Sequence, residues 1–160
     1  MELRTATNED SDGIIALIDG VLNEYGDRIC LDGSEADLLD IEKFFFEQGG
    51  YFWVIANETN QIKGTHACLP SKDRPEVCNF KRLYLDSSLR GTDWSRQLMQ
   101  VTIDWARQTG FARVEFWSDT RFNRAHKFFE KFDFQKSTEV RTMHDSFETY
   151  QEFFFYLELK

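Results

Sequence analysis

The run Lys81-Arg82-Leu83-Tyr84-Leu85-Asp86-Ser87-Ser88-Leu89-Arg90-Gly91-Thr92-Asp93-Trp94-Ser95-Arg96 holds the clearest chemical signal in the chain. A β-rich stretch enters a polar turn, and the turn opens an amphipathic helix. The first N–H groups of a helix have no internal partner, and the helix dipole favours negative charge there. A compact turn adds a nest of further N–H donors. Arg90 and Arg96 bring positive charge to the same place. The pattern suits binding of a phosphate-bearing ligand. An ordinary strand–turn–helix joint has the same composition.

The elements around this run alternate. Leu3–Ala6 is expected as a short strand, and Asn8–Tyr25 as a helix with Ile14, Ile15, Ile18, Val21 and Leu22 on one face. Ser34 and Asp37 form a capping-box pattern for a second helix through Leu38, Leu39, Ile41, Phe45 and Phe46, which Gly49-Gly50 ends. Tyr51–Ala56 and Ile62–Leu69 read as a hairpin. Val77–Leu85 is the next strand, with Val77, Asn79, Lys81, Leu83 and Leu85 expected on one side. Trp94, Leu98, Val101 and Trp105 mark the apolar stripe of the helix that Gly110 closes. A strand Ala112–Trp117, a helix Arg121–Lys131 and strands Phe134–Met143 and Gln151–Leu159 follow. The order β-α-α-β-β-β-α-β-α-β-β predicts an α/β (α+β) mixed sheet of about seven strands with about four helices on both faces.

Composition agrees with one folded domain spanning 1–160. Hydrophobic residues make up 41% and prolines number two, which argues against disorder. The net charge of −9 repels nucleic acid and anionic lipid, and it suits an amine-bearing partner. The start MELRTATNED has no basic segment leading into an apolar run, so a cytoplasmic protein is expected. The apolar stretches are too short to span a bilayer. Cys30, Cys68 and Cys78 lack paired metal-ligand spacing and are expected as reduced, buried thiols, with no metal. His66 is expected to be a satisfied core histidine. A dinucleotide module would need G-x-G-x-x-G after its first strand, and this chain lacks it.

The pattern L-Y-L-x4-R-G-x3-S-x2-L at Leu83–Leu98 resembles the acyl-CoA motif of GNAT acyltransferases. Asn123-Arg124-Ala125-His126-Lys127-Phe128-Phe129-Glu130-Lys131-Phe132-Asp133-Phe134 is similar to the second family pattern, N-x-x-A-x-x-F-Y-E-K-x-G-F. The resemblance implies the GNAT fold, with acetyl-CoA or another acyl-CoA as cosubstrate. It implies that Leu83, Tyr84 and Leu85 offer backbone groups to the pantetheine arm. That strand would splay from the next, and a backbone N–H near Leu85 would donate to the thioester carbonyl. Arg90, Gly91, Thr92, Asp93, Trp94 and Ser95 would cradle the pyrophosphate with Arg96 beside them, and Asn123 would approach the pantetheine.

Several residues depart from the family pattern. Asp93 and Ser95 stand where small residues are usual. A carboxylate about 5 Å from a phosphate, at an effective dielectric of ~20–80, weakens binding by roughly tenfold to a hundredfold. Arg96, three residues on, can pair with it. Phe129 replaces the tyrosine that often protonates the leaving thiolate, so it lines the site without a proton; Tyr84 or His126 can stand in. Asn79 replaces a glutamate that often acts as base. Glu115, Asp119, His126 and His144 are the candidates for that task. The implied reaction is direct attack of a primary amine, on a small molecule or a peptide, upon the thioester. The alternative is a GNAT-fold protein that binds acyl-CoA or a partner without chemistry. Tyr25, Asp27, Asp32, Glu35, Asp145, Phe147, Glu148 and Tyr150 are expected around the acceptor, and the sheet edge offers a surface for a homodimer.

Overall fold

The computed structural model describes residues 1–159. Seven strands form one sheet in the order β1-β2-β3-β4-β5-β7-β6. The strands are β1 (Glu2–Thr5), β2 (Tyr51–Ala56), β3 (Ile62–Pro70), β4 (Val77–Leu85), β5 (Arg113–Asp119), β6 (Gln135–Met143) and β7 (Tyr150–Glu158). Helices α1 (Ser11–Asn23), α2 (Asp93–Thr109) and α3 (Asn123–Lys131) cover it. Every pairing is antiparallel except β4 with β5. That parallel pair requires a crossover, and α2 supplies it. β1 and β6 are the sheet edges.

One core lies between α1 and the first strands, where Ile14, Ile18, Phe52, Val54 and Ala67 are buried. The other lies under α2 and α3, where Phe116 has Phe80, Phe129, Phe134 and Phe155 around it. Each such phenylalanine contributes roughly 1.5–3 kcal/mol by leaving water. Gly110 ends α2 at φ +101°, a left-handed conformation that glycine adopts without a Cβ penalty.

Three local expectations are corrected. The second helix is broken into a 3-10 turn, Ala36–Leu39, and a π-helical turn, Glu42–Phe46. Asp40 breaks it: its carboxylate accepts from the Lys43 N–H at 3.1 Å and from Asn8 Nδ2 at 3.0 Å, which restarts the chain there. The buried stripe of α2 is rotated from the tryptophans to Leu98, Met99, Thr102, Ile103 and Ala106; Trp94, Val101 and Trp105 flank it. Alternation along β4 does not persist to its end. Arg82 adopts φ +60°, and Arg82 and Leu83 together oppose His66 between the pairs Thr65–Tyr84 and Ala67–Lys81. This β-bulge exchanges the faces, so Leu83 and Leu85 join Phe80 on the α2 side and Tyr84 turns toward α1.

Candidate active site

β4 and β5 pair over only Val77–Arg113, Cys78–Val114 and Asn79–Glu115. Beyond Asn79 the strands part, and Phe80–Leu85 run without a partner on that side. The bulge at Arg82 bends β4 at this point. The opening leads into a cavity of about 960 Å³. Phe80, Leu83, Met99, Phe116 and Phe129 line it from the α2 side. Asn79, Lys81, Tyr84, Glu115, Trp117 and Glu152 line it from the opposite face of the sheet.

The turn after β4 leaves several backbone donors open. Among the described residues, no backbone carbonyl accepts from the N–H groups of Gly91, Asp93 or Trp94. Gly91 sits at φ +73°, where a Cβ would be strained. Asp93 does not turn its charge into the nest. Its carboxylate accepts from Arg96 Nε at 2.6 Å and from Gln97 Nε2 at 2.7 Å, along the flank of α2. These two hydrogen bonds hold the Asp93 carboxyl below its ordinary value. Thr92 Oγ1 donates to the Leu89 carbonyl and Ser95 Oγ to the Thr92 carbonyl, so both hydroxyls stiffen the turn. Arg90 faces away from the nest: it pairs with both oxygens of Glu24 at 2.7 and 2.6 Å and donates Nε to the Leu85 carbonyl. It therefore ties the turn to the end of α1. Asn123 is exposed at the start of α3, outside the cavity lining.

The five candidate acid–base residues are dispersed. Asp119 lines the cavity but is held by Arg121, through Nε at 3.0 Å and Nη2 at 2.7 Å. Glu115 lines the cavity but is held by Arg113 Nε at 2.7 Å and by both guanidinium nitrogens of Arg74. Burial alone would raise its carboxyl; the two arginines overcome that and keep it below the ordinary carboxylate range. A carboxylate so paired is a poor base. His126 lies outside the cavity lining, against Phe153 and Phe155, with Nε2 3.2 Å from Ser118 Oγ. Burial lowers its basicity. His144 is exposed in the β6–β7 loop, outside the lining. Tyr84 does line the cavity, and burial pushes its hydroxyl up to about 12, so it stays protonated at neutral pH. Phe129 is buried against Phe116 at 4.8 Å between ring centres while its edge reaches the cavity.

Of the residues expected around the acceptor, Asp27, Glu35, Asp145 and Tyr150 line the cavity; Tyr25, Asp32, Phe147 and Glu148 do not. The β6–β7 loop closes onto the Cys30–Glu35 loop. Ser34 N–H donates to the Asp145 carbonyl at 2.8 Å, and Arg28 stacks on Phe147 at 3.8 Å. Gly33 permits the approach, because a Cβ there would meet that carbonyl oxygen at 2.1 Å.

Two residues that line the cavity were not picked out from sequence. Arg82 Nη2 binds Asp37 at 2.9 Å and the Ser34 carbonyl at 2.5 Å, fastening the Ser34–Asp37 segment to the β4 bulge. Glu152 on β7 projects into the cavity, bonded to Arg141 Nε at 2.8 Å. Burial raises its carboxyl, and Arg141 only partly opposes this. The alternation Glu152, Phe154, Tyr156 in β7 hinted at a shared face, but only the Asp119–Glu152 register brings that face to the slot.

Residues 18–134 match the sequence profile of the acetyltransferase (GNAT) family. N-acetyltransferase 8F1 of Rattus norvegicus is 32% identical over 104 residues, covering 63% of this chain and 47% of the rat protein. The chain thus spans about half the length of that curated relative. The uncharacterized N-acetyltransferase YjgM of Escherichia coli K12 is 22% identical over 135 residues, covering 83% of this chain and 81% of that one. A GNAT-family acetyltransferase structure from Staphylococcus aureus Mu50 superimposes with a TM-score of 0.85 at 21% identity, over 99% of both chains. A phosphinothricin acetyltransferase from Sinorhizobium meliloti, solved with acetyl-CoA, gives 0.75 at 14% identity over 98% of this chain and 87% of that one. With its parted β4–β5 strands and the profile match over most of its length, this chain belongs to the GNAT acetyltransferase family.

Proposed function

We propose that the protein transfers an acetyl group from acetyl-CoA to a primary amine of a small molecule or peptide. The observation that carries this reading is the slot: β4 leaves β5 after Asn79, and the unpaired segment runs from the cavity to the open N–H groups at Gly91, Asp93 and Trp94. Those donors would hold the pyrophosphate, with Arg96 beside them. The free edge of Leu83–Leu85 would pair with the amides of the pantetheine arm. A β4 N–H aimed at the thioester oxygen would stabilise the charge that develops there as the amine attacks.

The acceptor must lose its ammonium proton. At a pKa of about 10.4, deprotonation at pH 7 costs ~4–5 kcal/mol, so a base aids the reaction. Glu152 suits this role better than Glu115, since burial raises its basicity while two arginines suppress that of Glu115. The Tyr84 hydroxyl is the donor for the leaving sulfur. Removal of both from the slot, as Glu152→Gln with Tyr84→Phe, should depress turnover while leaving acetyl-CoA affinity in place.

Calorimetric titration with acetyl-CoA and with free CoA tests the first half, and thiol release across an amine panel tests the second. Micromolar binding with thiol release upholds the reading. Tight binding without release from any amine favours a binding role, which the sequestered Glu115 and the hydroxyl-free Phe129 would suit. No binding at millimolar ligand would overturn both.

A further inference from the structure

Of the described lysines, Lys72 and Lys81 line the cavity, and Lys81 alone stands on β4. It lies two residues beyond Asn79, the last residue paired to β5, at the head of the slot. Asn79 and Lys81 share a face because the pleat alternates and the bulge begins only at Arg82. The Lys81 side chain is 42% exposed and, among the described residues, makes one ion pair, to Asp37 Oδ2 at 3.8 Å. Asp37 is itself bound more closely by Arg82. Lys81 is thus a primary amine on the strand that would carry the thioester, held by no short hydrogen bond.

We propose that Lys81 is a site of self-acylation, in which its Nζ takes the acyl group from acyl-CoA bound in the slot. Desolvation of its stem, with Arg82 and Arg141 nearby, holds its ammonium below the ordinary value, and Asp37 and Glu152 oppose this; the 42% exposure of the side chain lets water soften the effect. The neutral amine is therefore more accessible than on a lysine without cationic neighbours. The step balances without a further reactant. The Nζ lone pair forms the C–N bond to the acyl carbon, and the C–S bond breaks with its electron pair leaving on sulfur. Of the two protons the ammonium nitrogen loses, one passes to Glu152 and on to water, and the other to the thiolate. The products are N-acyl-lysine and CoA. Acylation fills space on the acceptor side of the cavity, and this bulk should make the modified protein accept external amines more slowly even though a repelling positive charge is lost.

This assignment presupposes acyl-CoA in the slot, and the test separates the two. The full chain is incubated with acetyl-CoA and no added amine, then analysed by intact mass and by peptide mapping. One acetyl group, concentrated on Lys81, is expected. The rate per molecule should not change on tenfold dilution of the protein, and excess free CoA should slow it. Lys81→Arg should lose the label while exposed Lys127 and Lys131 stay unlabelled in both proteins. Label spread equally over the exposed lysines, or an unlabelled Lys81 in a protein that binds acetyl-CoA by calorimetry, overturns self-acylation alone. Failure to bind acetyl-CoA at all overturns it together with the acyl-CoA reading.

Discussion

Acid should weaken this fold through His66, and the size of the effect follows from its surroundings. His66 is 1% exposed on β3, behind the β4 bulge. Its Nδ1 lies 2.9 Å from Thr102 Oγ1, whose hydroxyl donates to the Leu98 carbonyl, and its ring packs edge-on to Phe80. Burial pushes its pKa down to about 3, with only the Leu98 carbonyl pulling the other way. The unfolded chain would bind a proton near pH 6.5 while the folded chain refuses it. The unfolded state thus holds more protons below that value, and stability falls as pH falls. The penalty is negligible at pH 7 and grows by about 1.4 kcal/mol per pH unit below 6.5, reaching about 2 kcal/mol at pH 5. With an m-value of about 1–3 kcal/mol/M, the urea midpoint should drop by about 1 M between pH 7 and pH 5. His126 and Glu152 also titrate differently in the folded chain, in opposite senses, so the measurement needs a partner. His66→Gln provides it: whatever its stability at pH 7, its loss between pH 7 and pH 5 should be smaller by about 2 kcal/mol. Equal losses in the two proteins would refute the assignment of this acid sensitivity to a buried, neutral His66.

Other consequences are testable on the same protein. Arg82→Ala leaves Asp37 and Glu35 without their buried cation and should cost about 3–5 kcal/mol in urea or thermal unfolding; Arg82→Lys should recover only part of it, since one ammonium cannot replace both Nη2, which holds Asp37 and the Ser34 carbonyl, and Nη1, which faces Glu35. Because Arg96 and Gln97 already hold the Asp93 carboxylate, Asp93→Asn should change acetyl-CoA affinity by less than about threefold, whereas Arg96→Gln, which frees that charge beside the phosphate nest, should weaken binding by about tenfold. Calorimetry at low salt measures both, and a large gain for Asp93→Asn would show that the carboxylate faces the ligand after all. Raising the salt should shrink the effect of Arg96→Gln, since these groups are exposed.

Much of this protein was legible in its sequence because the informative signals are local. Apolar spacing marked α1 and α2, Gly110 marked the end of α2, and β-rich runs marked the seven strands, since each depends on residues within a turn or a strand of one another. The Leu83–Leu98 and Asn123–Phe134 patterns were readable for the same reason, and they pointed to the family that the profile match bears out. The pairing of Arg96 with Asp93 was also accessible, because three residues on a helix bring side chains together. What sequence could not supply were outcomes decided between distant segments. Asp40 broke the second helix with help from Asn8, thirty-two positions away. Glu115 looked free until Arg74, forty-one positions away, joined its strand neighbour Arg113 in closing on it, and Glu152 was one acidic residue among many until the β5–β7 register carried it into the cavity. The bulge at Arg82 left no mark in the alternation of β4, because its anchors, Asp37 and Ser34, lie on a loop from the first third of the chain. Local order needs only neighbouring residues, but burial, ion pairing and the basicity of a group depend on which remote charges and surfaces the packed chain brings against it.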